Sequence, residues 1–236
     1  MRSVLTIAGR QFRSYFNGPV AYIVICIILL TLGFFFWKTF FLFGRASARE
    51  MFRWLGLILV FSLPALTMGL LAEEKRTGTI ELLITMPVTE AQVIVGKFLG
   101  VLGLYGVLLA LTISYPLSIS TLGDLDWGPV WSGYLALLLQ GSAVLAIGLM
   151  ASSWTSNQLI ALFVALTLSV LFWVLDKFLA LLPTNAASAL QWLSFDYHFQ
   201  SMARGVIDLR DVLFFVSVVV FALAVAFRAL ESRRWS

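Results

Sequence analysis

Hydrophobic residues run along this chain in long uncharged blocks, and the charged positions fall between them at 2–13, 38–53, 73–97, 124–126, 176–177, 196–211 and 228–234. A helix rises about 1.5 Å per residue and the hydrocarbon layer is about 30 Å thick, so an uncharged run of about 20 residues is a candidate span. Residues 14–37, 54–72 and 98–123 each hold one. Residues 127–175 hold two, divided at the polar turn Ser152-Ser153-Trp154-Thr155-Ser156-Asn157. The run 178–195 is broken by Pro183-Thr184-Asn185, and open backbone does not sit in lipid. The last block, 212–227, is short, but Arg210 and Arg228 can snorkel from its ends. The pattern predicts an all-α integral membrane protein, one domain over 1–236, with six transmembrane helices at about 19–42, 52–72, 94–121, 129–151, 158–181 and 210–230. Pro64 and Pro116 lie within spans and predict kinks.

Residues 3–17, set on a wheel at about 100° per residue, divide into two faces. Val4, Leu5, Ile7, Ala8, Phe12, Tyr15 and Phe16 cover one; Thr6, Arg10, Arg13, Ser14 and Asn17 cover the other. This is the pattern of an interfacial helix with its cations among the headgroups, turned into the membrane by Asn17-Gly18-Pro19. A signal anchor with an amphipathic flank is the other reading. On the third span Gly96, Gly100, Gly103, Gly106 and Ala110 share one narrow arc, a face on which a neighbouring helix can approach closely. Spacing does not say which helix, and packing within the chain is the default.

Composition sharpens the picture. The chain is 61% hydrophobic and 12% charged with a mean hydropathy of +0.96, whereas a soluble domain is about half apolar and about a quarter charged. A soluble nucleic-acid binder, a cleaved secretory protein and a β-barrel are excluded. The net charge of +4 fits anionic lipid headgroups. Cys26 is the single cysteine, so no intrachain disulfide forms.

Six spans place both termini on one side. With the termini cytoplasmic, the inner clusters hold nine Lys or Arg and the outer ones seven, which sets that orientation by the positive-inside rule. The indoles agree with the span ends: Trp37, Trp54, Trp127, Trp131, Trp173 and Trp192 face one side, Trp154 and Trp235 the other. The expected location is a bacterial cytoplasmic membrane.

No ionisable group falls at mid-span, where enzymes and ion-coupled transporters need one. Lys38 and the pair Asp176-Lys177 stand at span ends, where snorkelling accounts for them. The single histidine, His198, is expected in the loop before the last span; with Asp196 it supplies at most two ligands where zinc takes three or four. No catalytic residue and no metal site are expected. No G-x-x-x-x-G-K-[ST] appears, so energy for uphill movement must come from another polypeptide.

The largest charge cluster follows span two. Gly78 and Pro87 bracket about two helical turns in which Ile80, Leu83 and Ile84 form an apolar ridge and Glu81 faces elsewhere. Beyond them Thr89 with Gln92 makes a capping box, and Val88 with Val93 a hydrophobic staple. Such a short helix either lies on the membrane as part of a solvated loop or is held rigidly enough between two spans to transmit a push.

The stretch Glu73-Glu74-Lys75-Arg76-Thr77-Gly78-Thr79-Ile80-Glu81-Leu82-Leu83, ending Thr85-Met86-Pro87, resembles the coupling segment of the permeases of type-2 ATP-binding cassette (ABC) exporters. The start, Phe12-Arg13-Ser14-Tyr15-Phe16-Asn17-Gly18-Pro19, and the end, Phe195-Asp196-Tyr197-His198-Phe199 through Arg204-Gly205-Val206-Ile207-Asp208-Leu209-Arg210-Asp211, are similar to the gliding-motility GldF-type branch. The resemblance implies an elbow helix over 3–17 marked by Arg10, Phe12, Arg13 and Tyr15. It also implies a coupling segment over 73–88 marked by Glu73, Glu74, Gly78, Thr79, Ile80, Glu81, Leu83, Ile84 and Pro87, and an extracytoplasmic or partly re-entrant segment over 183–209, whose helical stretch from Ala186 to Ala203 can be ended by Gly205.

It further implies a permease subunit that couples ATP hydrolysis by a separate cytoplasmic ATPase to substrate movement. ATP and Mg would be bound by that partner and no cofactor by this chain. A second permease protomer would complete a homodimer or heterodimer, and in the gliding-motility branch a membrane partner supplies the extracytoplasmic domain that these residues do not encode. Lipids are partners; nucleic acid is not. The alternative is a non-transport scaffold or mechanotransmitter that relays ATPase motion to an extracytoplasmic partner, and an intramembrane enzyme stands a distant third.

Overall fold

A computed structural model of the chain describes residues 2–43, 48–79, 89–121, 123–178 and 191–232. Among these every regular element is helical. In chain order they are α1 (Arg2–Asn17), α2 (Val20–Phe43), α3 (Arg49–Thr67), α4 (Ala72–Arg76), α5 (Glu90–Thr112), α6 (Ser114–Ser120), α7 (Trp127–Trp154), α8 (Gln158–Phe178), α9 (Phe195–Ala203) and α10 (Leu209–Glu231). Six stretches are long and apolar enough to cross a membrane: Val20–Lys38, Arg49–Arg76, Glu90–Ser120, Trp127–Trp154, Gln158–Phe178 and Leu209–Glu231.

Local chemistry sets the ends of these helices. The first backbone N–H groups of a helix lack partners inside it, and short polar side chains supply them. Thr89 Oγ1 accepts from Gln92 N at 3.3 Å while Gln92 Oε1 accepts from Thr89 N at 3.4 Å, which is the expected capping box. Asp126, Asn157 and Asp208 cap α7, α8 and α10 through a carboxylate or amide oxygen on the N–H two residues on. The third span is interrupted at Ile113, whose N–H turns back to Ala110 O. Pro116 has no N–H for Thr112 O, so the α5 ladder cannot pass that point.

The hub is α7. It packs against α3, α5, α8, α9 and α10, and 78% of its apolar window is buried, against 17–22% for α2, α8 and α10. Three glycines allow the approach. A Cβ on Gly133 would lie 2.6 Å from the Phe52 ring, one on Gly141 would lie inside contact with Tyr105, and one on Gly148 would collide with Thr67. Sequence reasoning named the glycines of α5 and passed over these.

The amphipathic division of α1 holds with two exceptions. Val4, Ile7, Ala8, Phe12, Tyr15 and Phe16 are half-buried and Thr6, Arg10, Arg13, Ser14 and Asn17 exposed, but Leu5 is 68% exposed and Gln11 joins the covered face. Leu5 sits at the edge of the apolar arc, where the contact with α5 does not reach.

Candidate functional site

The chain leaving α3 is tied down over residues 70–75, at the start of the stretch 73–88. Ser152, fully buried near the end of α7, accepts from Leu71 N at 3.0 Å and Ala72 N at 2.9 Å through its Oγ and donates to Met68 O at 2.9 Å. One hydroxyl thus satisfies the two backbone donors with which α4 starts and one acceptor with which α3 ends. Lys75 Nζ donates to the neighbouring Ser153 O.

A second tie comes from α5. Lys97 has 3% of its side chain exposed, and its ammonium reaches Leu70 O at 2.6 Å and Glu74 Oε1 at 2.8 Å. A buried cation is tolerated when paired and hydrogen-bonded, and both conditions are met. Glu74 Oε2 has no partner. Glu73 by contrast is half-exposed and pairs with Arg76 at 3.7 Å, a surface contact worth at most about 0.5 kcal/mol. Gly78, at φ +72, closes α4 in the left-handed conformation that a helix C-terminus favours, and its N–H donates to Lys75 O at 3.4 Å. Thr79 Oγ1 meets Thr77 Oγ1 at 3.0 Å. Ile80, Glu81, Leu83, Ile84 and Pro87, and Val88 of the staple, lie outside the described residues.

The elbow residues divide by face. Arg10 and Arg13 are exposed; Phe12 and Tyr15 pack inward, and the Tyr15 hydroxyl donates to Leu66 O at 2.7 Å. Burial pushes the Tyr15 phenol above its ordinary value, outweighing the opposing hydrogen bond from Gln11, so it remains a neutral donor. Ser3 Oγ donates to Gln92 Oε1 at 3.3 Å, linking the start of α1 to the capping box of α5.

The small-residue stripe of α5 meets α1. A Cβ on Gly96 would lie 2.8 Å from Ile7, one on Gly100 2.6 Å from Gln11 Cβ and 2.9 Å from Ala8 O, and one on Gly103 3.1 Å from Phe12. Packing is therefore within the chain, against the elbow helix instead of another span. Gly106 is the exception: nothing lies within 4 Å of its Cβ position, because α1 has turned away at Asn17.

At the opposite end the structure corrects the reading of His198. It lies on α9, not in a loop, and is 1% exposed. Its partner is Asp211, with Nδ1 to Oδ1 at 2.7 Å; Nε2 meets Trp192 O at 3.0 Å and the ring stacks on Phe214. Asp196 serves Lys177 instead, at 2.5 Å, with Asp176 3.8 Å away. Lys177 is thus fixed by two carboxylates and does not simply snorkel. Gly205, at φ +99, ends α9 as expected, its N–H donating to Met202 O. Sequence reasoning also missed Gln140, buried at the middle of α7 with Oε1 unbonded beside Gly56. An amide in the middle of an uncharged span was the available signal.

The profile of the ABC-2 family transporter protein matches residues 51–204, from the second span through α9. The chain belongs to that family. No curated protein compared with it matches. This ABC-2 chain is thus a multi-pass membrane protein and the membrane subunit of a transporter. The matched stretch contains the whole of the tied junction: the end of α3, α4, Lys97, Ser152 and Ser153.

Proposed function

We propose that this ABC-2 permease is an exporter subunit of the bacterial cytoplasmic membrane, with both termini cytoplasmic, driven by a separate ATPase that docks on residues 79–85. The observation that carries this is the double tie at Ser152 and Lys97. A segment that only lay on the membrane would need no buried polar anchor. One that must pass a displacement to α5 and α7 does, since a slack connection would absorb it. The apolar ridge of Ile80, Leu83 and Ile84 supplies a docking surface, and Glu73 and Glu81 supply charge at its margin. ATP and Mg belong to the partner in this reading. Two permease chains flank the path, as a homodimer or with a second permease, and the resemblance of the terminal motif supports the gliding-motility branch, whose partner carries the extracytoplasmic domain.

Purification in mild detergent with the cognate ATPase tests the docking. Leu83→Asp, and charge reversal at Glu73 or Glu81, should each abolish complex formation or stimulation of ATP hydrolysis. Unchanged complexes in all three variants would overturn it.

A further inference from the structure

The end of the molecule opposite the coupling segment holds a cleft of about 480 Å³ between the end of α8 and α9. Its walls include Asp176, Gln191, Tyr197, Ser201 and Arg204. Most polar groups at this end are committed: Lys177 to Asp176 and Asp196, Gln200 to Asp196, His198 to Asp211. Four in the cleft are not. Among the described residues, the Arg204 guanidinium, the Ser201 and Tyr197 hydroxyls and the Gln191 amide form no side-chain hydrogen bond or ion pair. A guanidinium fork beside two hydroxyls and an amide is a set of donors suited to a phosphate.

Two observations say what brings the phosphate. Beyond Arg204, Val206 (65% exposed) stands on the rim of the cleft and is followed by the exposed Ile207 (56%) and Leu209 (70%), an apolar run broken at Asp208, whose carboxylate caps α10. Water would penalise that run; acyl chains would not. The depth also fits, because Gly205 lies against Pro129, between the exposed indoles of Trp127 and Trp131, with Trp192 exposed nearby in sequence. Indoles collect at headgroup level. Asp176 in the wall adds a selective element: its contact with Lys177 is long, at 3.8 Å, so a headgroup that also carries a donor can share its carboxylate.

We propose that this cleft seats a phospholipid headgroup of that leaflet, its phosphate on Arg204 with the neighbouring hydroxyls and its ammonium or hydroxyl donor on Asp176. The bound lipid would fill the gap between α8 and α9 and hold the far-end helix in place.

Native mass spectrometry of the full chain, exchanged from detergent against mixed phosphatidylethanolamine and phosphatidylcholine, tests this. Phosphatidylethanolamine should be retained about tenfold over phosphatidylcholine, whose methylated ammonium cannot donate. Arg204→Gln should lower retention about tenfold, while Arg210→Gln, the same loss of charge at the same end but outside the cleft, changes it by less than about twofold. Asp176→Asn should erase the preference between the two lipids and leave retention through the phosphate. Arg204 is exposed, so its substitution leaves the core intact, and an unchanged melting temperature confirms folding. Equal losses in the Arg204 and Arg210 variants would reduce the effect to surface charge and overturn the site. Equal retention of both lipids by the wild type would overturn the role of Asp176. Displacement of the lipid by millimolar inorganic phosphate would assign the cleft to a soluble phosphate and end the lipid assignment.

Discussion

Gly100→Ala and Gly106→Ala make the same chemical change on the same helix and should have opposite results. At Gly100 the new methyl would lie 2.6 Å from Gln11 Cβ and 2.9 Å from Ala8 O, where ordinary contact begins at 3.4 Å. Ala8 O is backbone, so no side-chain rotation relieves it. Helix α1 must withdraw by about 0.5 Å there (3.4 less 2.9) and 0.8 Å at Gln11 (3.4 less 2.6). Overpacking of this kind costs about 1–3 kcal/mol. Replacing a helical glycine by alanine returns about 1 kcal/mol of backbone entropy and propensity. The Gly100 variant should therefore be between neutral and about 2 kcal/mol less stable. At Gly106 the methyl meets nothing within 4 Å, and only the gain of up to about 1 kcal/mol remains. Reversible unfolding in SDS mixed micelles, followed by helical circular dichroism, measures both against the parent protein. A Gly100 variant as stable as the Gly106 variant, within about 0.5 kcal/mol, would refute the α1–α5 seam.

Three further outcomes follow from the junction. Lys97→Met should cost roughly 3 kcal/mol in the same unfolding assay, since it leaves Glu74 facing a buried apolar group, and adding Glu74→Gln should recover part of that loss. Ser152→Ala leaves Leu71 N and Ala72 N without their buried acceptor; a loss of about 2 kcal/mol and faster proteolysis within residues 73–88 are expected, and an unchanged cleavage rate would argue against the tie. Thr89→Ala removes half the capping box and should lower stability by about 1 kcal/mol, with a smaller loss in Thr89→Ser.

The spans were legible because a bilayer demands uninterrupted apolar length, and Lys38, Asp124 or Asp176 interrupts it visibly. The capping box was legible because Thr89 and Gln92 are close in sequence and the geometry between them is local. The tie at Lys97 was not. A lysine near the start of a span reads as a headgroup cation, and only the fold reveals that Leu70 O and Glu74 lie beside it. His198 hid its partner for the same reason: Asp196 is nearer in sequence, but one helical face points it at Lys177 while Asp211 arrives from α10. Glycines on α5 announced a close contact without naming the other helix, because small residues specify distance and carry no label for the partner.

That contact bears on how the two permease chains meet. A glycine-packed seam between protomers would have favoured a tight assembly that relays motion and passes no solute. Gly96, Gly100 and Gly103 are already occupied by α1, and Gly133, Gly141 and Gly148 by α3 and α5, so these close approaches are spent inside one chain. What remains least covered are α2, α8 and α10, with 17–22% of their apolar windows buried, faces of large side chains that part more readily than interlocked backbones. The internal seams, meanwhile, make each chain stiff. At the start of residues 73–88, α4 is held to α5 by Lys97 and to α7 by Ser152; after them, Thr89 and Gln92 begin α5, and Ser3 joins α1 to the same cap. In the proposed coupling, a push on residues 73–88 would meet these described anchors on either side of it. Such a push would move α1 with α5 and draw on α7, the helix against which most of the others pack, and the motion would emerge where contact is weakest, at the outward faces of the chain. Rigid halves with loose faces are what an alternately opening path between two permeases requires.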